Sequence, residues 1–92
     1  LEAAVKCDPR HARAWYNLGL ARSSQGDATG AIEALARAES VADHDPSIPY
    51  ARATVLARLG RFDEARTAAQ RALELDRNYA AAAALLRQLE RR

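Results

Sequence analysis

The tripeptide Asp43-His44-Asp45 sets an imidazole between two carboxylates, the one place in this 92-residue sequence where adjacent residues invite metal binding. Histidine is the commonest metal ligand, and carboxylates often share a site with it. A structural zinc site needs four ligands with nitrogen or sulfur donors at fixed spacing. Neither His11, far off in sequence, nor the lone Cys7 completes such a set. Solvated loop polarity is the better reading; no metal or other cofactor is expected, and a single cysteine excludes an internal disulfide.

Other reactive groupings fare no better. Ser23-Ser24 adjoins no base and no nucleophile elbow. Gly26 and Gly30 flank a helix start without the spacing of a phosphate loop. Glu33, Glu64 and Glu74 have Arg neighbours at helical spacing, as in Glu33 and Arg37, which suits exposed ion pairs. Catalysis requires convergent acid, base, nucleophile or metal groups. The sequence offers none, so the expectation is a protein that is not an enzyme.

Charge narrows the partner class. The formal net charge is only +2, and the acidic residues are interspersed with arginines, which outnumber lysine thirteen to one. A solvated face fits this pattern better than a phosphate-binding one, so no nucleic acid is expected. Ala and Arg both have GC-rich codons, so the bias reads as genome composition rather than a phosphate-binding surface; a bacterial source is expected, and the compartment is left open with a slight preference for the cytoplasm. No apolar run approaches the roughly 20 residues of a membrane span, so no membrane insertion is expected. The chain does not begin with Met, so these residues read as a fragment of a longer protein.

The elements that would position any site are helical. Asp8 can cap a helix that Pro9 begins, since its first position tolerates the missing N–H. Gly26 stops that helix near Gln25, and Asp27 caps the next. The pattern predicts helices over Pro9–Gln25, Ala28–Ala42, Ile48–Leu59, Phe62–Leu75 and Tyr79–Arg91, with Leu1 to Cys7 as the tail of an earlier one. Ser47 is the expected cap of the third.

A period of 34 residues runs through these helices: Ala4, Ala38 and Ala72; Gly26 and Gly60; Ala31 and Ala65; and, less closely, Leu35 and Ala69. With Trp15, Leu18 and Gly19 on one helix, Ala31, Leu35 and Ala38 on the next, and Asp8-Pro9 at the entry, the chain resembles the tetratricopeptide repeat family. Residues 46–79 repeat the pattern at Gly60, Ala65, Ala72 and the "ALELD" ending. The resemblance implies an all-α, right-handed superhelix of antiparallel helix pairs. It divides the chain into 1–11 (end of a preceding repeat and linker), 12–45 (repeat one), 46–79 (repeat two) and 80–92 (a capping helix). Gly19 and Ala31 are expected where two helices touch, with Trp15 filling the wider space beside them.

The second repeat departs from the pattern. Pro49 stands at the Trp position, Arg52 at the Leu position and Ala53 at the Gly position. Its first helix should be short, and Arg52 must reach the surface along its stem or sit on a rotated helix.

Members of this family bind peptides or partner domains in a concave groove lined by the first helices. Carried onto this chain, that groove holds Arg13, Tyr16, Asn17, Leu20 and Ser24 from repeat one, then Tyr50, Thr54 and Arg58 from repeat two. A protein or peptide partner is the implied ligand. One subclass grips an acidic C-terminal tail with a carboxylate clamp of Lys, Asn, Asn, Lys and Arg. In the first frame those positions hold Tyr16, Leu20, Ala51, Ala81 and Leu85. In a frame shifted by one repeat, Asn17 matches the second Asn, and Ser47 and Ala51 replace the two later cations. No clamp-type binding is expected. The rival reading is a structural scaffold or self-association segment of a larger protein, with a homo-oligomer formed through the terminal helix. It would bury Tyr16 and Tyr50 against the chain itself or a copy.

Overall fold

The computed structural model describes residues 9–91. Five helices make up the secondary structure of that span: α1 (Pro9–Ser24), α2 (Ala28–Val41), α3 (Ser47–Arg58), α4 (Phe62–Leu75) and α5 (Ala80–Glu90). The expected tail of an earlier helix over Leu1 to Cys7, and the capping role of Asp8, lie outside the described residues. Contacts join consecutive helices and are most extensive within the pairs α1–α2 and α3–α4. The pairs stack into an all-α solenoid with extents of 44 × 29 × 16 Å.

Local chemistry sets the helix ends. Gly26 and Gly60 adopt φ of 86° and 79°, a left-handed backbone that disfavours any residue with a Cβ. Each lets the next N–H reach back over the helix end, Asp27 to Arg22 at 2.8 Å and Arg61 to Leu56 at 3.0 Å. Asp27 then caps α2, its Oδ1 accepting from the Gly30 N–H at 3.0 Å. At α3 the cap differs from expectation. Pro46 takes the cap position and Ser47 is the first helical residue, while Asp45 Oδ1 accepts from the Ser47 N–H and hydroxyl. A carboxylate one residue outside the helix does the work assigned to the serine. Pro49, fully buried, falls in the first turn, where its missing N–H removes no helical bond.

Gly19 explains how α1 and α2 pack. A Cβ there would lie 2.7 Å from Leu35 Cγ and 3.2 Å from the Ala31 carbonyl oxygen, so only glycine lets the helices approach this closely. The space beside it belongs to Leu35, which is fully buried. Trp15 does not fill it: its ring is half-buried, with the Arg37 guanidinium 5.2 Å from the ring centroid. That contact also takes Arg37 away from the ion pair expected with Glu33, because a cation over a half-covered ring gains at least as much as an exposed pair. The exposed pairs that do form include Arg61–Glu64 at 2.8 Å and Arg71–Glu74 at 3.5 Å.

Two apolar clusters hold the stack together, one at the seam between α2 and α3 and one within the α3–α4 pair beneath α5. Ala31, Leu35, Ala51 and Val55 form one, with Tyr16, Ala28 and Ile32 against it. The other joins Ala53, Leu56, Ala65, Ala68, Ala69 and Leu89, covered by Phe62, Leu85 and Leu86. α5 therefore caps the second cluster with its leucines and turns Arg87, Gln88, Glu90 and Arg91 to solvent.

Arg52 solves its placement by pairing. On α3, at the position where repeat one has Leu18, its Nε donates to Glu39 Oε1 of α2 at 3.0 Å, with the two side chains 26% and 19% exposed. An ion pair thus takes the place of an apolar contact between the helix pairs. Arg52→Leu alone leaves Glu39 half-buried without its cation and should cost about 1–3 kcal/mol. Adding Glu39→Leu should return most of that loss in urea melts. A single Arg52→Leu variant as stable as the parent would show the pair to contribute nothing.

Candidate functional site

Three of the expected groove residues come together. Arg13, Tyr16 and Asn17, one turn apart on α1, line a cavity of about 440 Å³ whose other walls are Ala12, Ala42, Asp45, Ser47 and Ile48. The helical period puts positions 12, 13, 16 and 17 on one face. The α2–α3 loop and the start of α3 close the far side. The Tyr16 ring lies partly on the first apolar cluster, which fixes it, while Arg13 and Asn17 are exposed.

The remaining expected residues do not line this cavity. Leu20 is 42% exposed, and Ser24 is exposed at the last position of α1. Thr54 turns its hydroxyl to the Ala51 carbonyl at 2.7 Å. Arg58 donates to Ser23 Oγ at 3.1 Å, tying the end of α3 to α1. Tyr50 is half-buried, its ring centroid 5.3 Å from that of Tyr79 with a 47° tilt between the planes. Of the two tyrosines, then, Tyr16 faces open space and Tyr50 is met by its own chain.

All three tyrosines of the sequence gather on this side of the molecule. The Tyr79 hydroxyl holds its proton above the ordinary tyrosine range, first because burial disfavours the phenolate, then because Tyr16, Tyr50, Asp45 and Asp76 add negative potential around it. Asp45 and Tyr79 lie in interhelical loops, outside the first-helix positions that the repeat pattern assigns to a groove. Their signal was the 34-residue spacing, which pairs Asp45 with Tyr79 and Tyr16 with Tyr50.

The metal-like tripeptide is a solvated turn. His44 is 92% exposed, its Nε2 3.4 Å from Asp43 Oδ1, and no group of three or more His, Cys, Asp or Glu able to hold a metal ion is present among the described residues. No described helix is long and apolar enough to cross a membrane.

A family model described as "Tetratricopeptide repeat" matches residues 22–89, and a second of the same description matches residues 1–33. No curated protein matches significantly. Among solved structures, the chain is similar to the first TPR of Spaghetti (RPAP3) bound to the HSP90 peptide SRMEEVD. The TM-score is 0.87 and the identity 24%, with 90% of this chain and 68% of that one covered. It is also similar to the TPR2AB-domain:pHSP90 complex of yeast Sti1, with a TM-score of 0.89, 26% identity and 97% of this chain covered. The match spans 34% of the Sti1 chain, about a third of its length.

Proposed function

The chain belongs to the tetratricopeptide repeat family, and from that premise we propose that it is a non-catalytic interaction module that holds an extended segment of a partner protein along α1 and α3. The observation that carries this is the cavity walled by Arg13, Tyr16 and Asn17 on one side and the α2–α3 loop on the other. A fixed tyrosine offers contact area at small conformational cost. Asn17 can donate to and accept from a peptide backbone, and Arg13 can donate to carbonyls. The similar TPR domains of Spaghetti and Sti1, seen with HSP90 peptide and in the pHSP90 complex, support the same use of the fold.

Selection from a random heptapeptide library, followed by calorimetry, tests the reading. Asn17→Ala and Arg13→Ala should each weaken a selected peptide by about tenfold, as loss of a hydrogen bond in a contact region does. Both positions are exposed, so thermal melts should not change. Gln70→Ala and Arg77→Ala on the α4 side, outside the cavity, should bind as the parent does. Selected peptides that ignore Asn17 and Arg13 would refute the assignment.

A further inference from the structure

Two loops of this chain share one backbone path and differ in the side chain that meets the neighbouring tyrosine. After α2 the Ala42 N–H bonds to the Ala38 carbonyl at 2.9 Å, and Asp45 N–H closes a turn onto Ala42 at 3.4 Å. After α4 the Asp76 N–H bonds to Ala72 at 2.9 Å, and Tyr79 N–H closes onto Asp76 at 3.1 Å. Asp45 and Tyr79 therefore occupy equivalent places, as do Tyr16 and Tyr50. At the second corner the Tyr79 ring packs against Tyr50. At the first corner a short carboxylate stands where that ring would be, and the cavity lies there.

We infer that this vacant ring position receives an arginine side chain of the partner protein, its guanidinium plane against Tyr16 and its N–H groups on Asp45. This rests on the interaction-module reading above and names the partner's chemistry. Asp45 Oδ1 is engaged by the Ser47 N–H at 3.0 Å and hydroxyl at 2.7 Å, which sets the carboxylate's orientation. Its Oδ2 has no hydrogen-bond partner among the described residues and remains for a ligand. A guanidinium is planar, stacks on an aromatic face and donates in a fork that suits a carboxylate. A neutral ring would satisfy Tyr16 but leave the carboxylate unanswered, and a lysine would pair without stacking. The carboxylates that burden the Tyr79 hydroxyl give this end of the site the sign a cation needs. Arg13 also lines the cavity, but its side chain is exposed, so water and salt screen its repulsion.

The test is an NMR titration of the 92-residue protein with blocked peptides Ac-Gly-Ser-Gly-X-Gly-Ser-Gly-amide, X being Arg, Lys, Gln or Glu. The Arg peptide should shift the Asn17 side-chain amide and the Tyr16 ring saturably, bind about threefold or more tighter than the Lys peptide, and leave the Gln and Glu peptides without effect. Asp45→Asn keeps an acceptor for Ser47 and should weaken the Arg peptide about fivefold or more, without lowering the melting temperature. Asp45→Tyr should abolish Arg binding, because the new ring takes the seat that Tyr79 fills at the other corner. Equal shifts from the Gln peptide, or undiminished binding by Asp45→Asn, would overturn the inference. Library peptides that depend on Asn17 but neither carry arginine nor respond to Asp45→Asn would remove the arginine and leave the groove. If no peptide depends on Asn17, both fall.

Discussion

Leu35→Ala is expected to remove about 3–5 kcal/mol, most of what a domain near the low end of the usual ~5–15 kcal/mol range has to lose. Leu35 is fully buried, and its branched end reaches to within 2.7 Å of where a Gly19 Cβ would lie. Truncation therefore opens a void at the closest approach of α1 and α2, and neither backbone can move in without breaking its other contacts. Trp15→Ala should cost less, about 1–3 kcal/mol, because its ring is only partly buried. The reverse order in chemical denaturation would return the space to Trp15. Gly19→Ala, which drives a methyl into Leu35, should cost about 1–3 kcal/mol. The double variant Gly19→Ala/Leu35→Ala should lose less than the sum, since it recreates the pairing of Ala53 with Ala69 in the second helix pair.

The second large effect is an absence. The peptide SRMEEVD, present in the Spaghetti structure, should show no saturable binding to this chain up to about 1 mM, the level that marks a contact worth only ~4 kcal/mol. The clamp positions implied for the two later cations hold Ser47 and Ala51. Ser47 lines the cavity and is hydrogen-bonded to Asp45, so a carboxylate stands beside one of those positions. A ligand carboxylate brought there meets like charge and finds no cation at either position. Calorimetry decides the matter: micromolar affinity that vanishes on amidating the peptide's terminus would show that this chain has a working clamp.

Helix positions were legible because their determinants are local. Gly26 and Gly60 stop helices wherever they stand, Asp27 caps the one that follows, and the observed bounds agree with expectation to within a residue. Trp15 and Leu35 were harder, since which of two apolar residues fills a gap depends on the relative rotation of two helices, which composition does not carry. Arg52 could be flagged as misplaced, but its answer lay thirteen residues back at Glu39. Of the cavity's lining, Arg13, Tyr16 and Asn17 could be named from repeat position alone. Tyr50 did not, because a loop residue 29 positions later covers it. Asp45 stands beside His44 in the sequence like half of a metal site, whereas its carboxylate caps α3 from outside, a role set by the turn that the loop makes.

The way the helices touch has a consequence for how the molecule comes apart. Contacts link each helix chiefly to the next in sequence, with only small ones joining α1 to α3 and α3 to α5. Such a chain has low contact order, so most native neighbours can find one another without closing long loops, and folding should be fast. Its stability is close to a sum of unit and seam terms along a line, and opening starts at an end. α5 is held by one face on the second cluster and can detach without disturbing Asp45 or Tyr16, whereas α2 cannot leave without dissolving both seams. Amide protons should therefore exchange earliest in α5 and latest in α2 and α3, which sets the loop that carries Asp45 between the two slowest-opening helices.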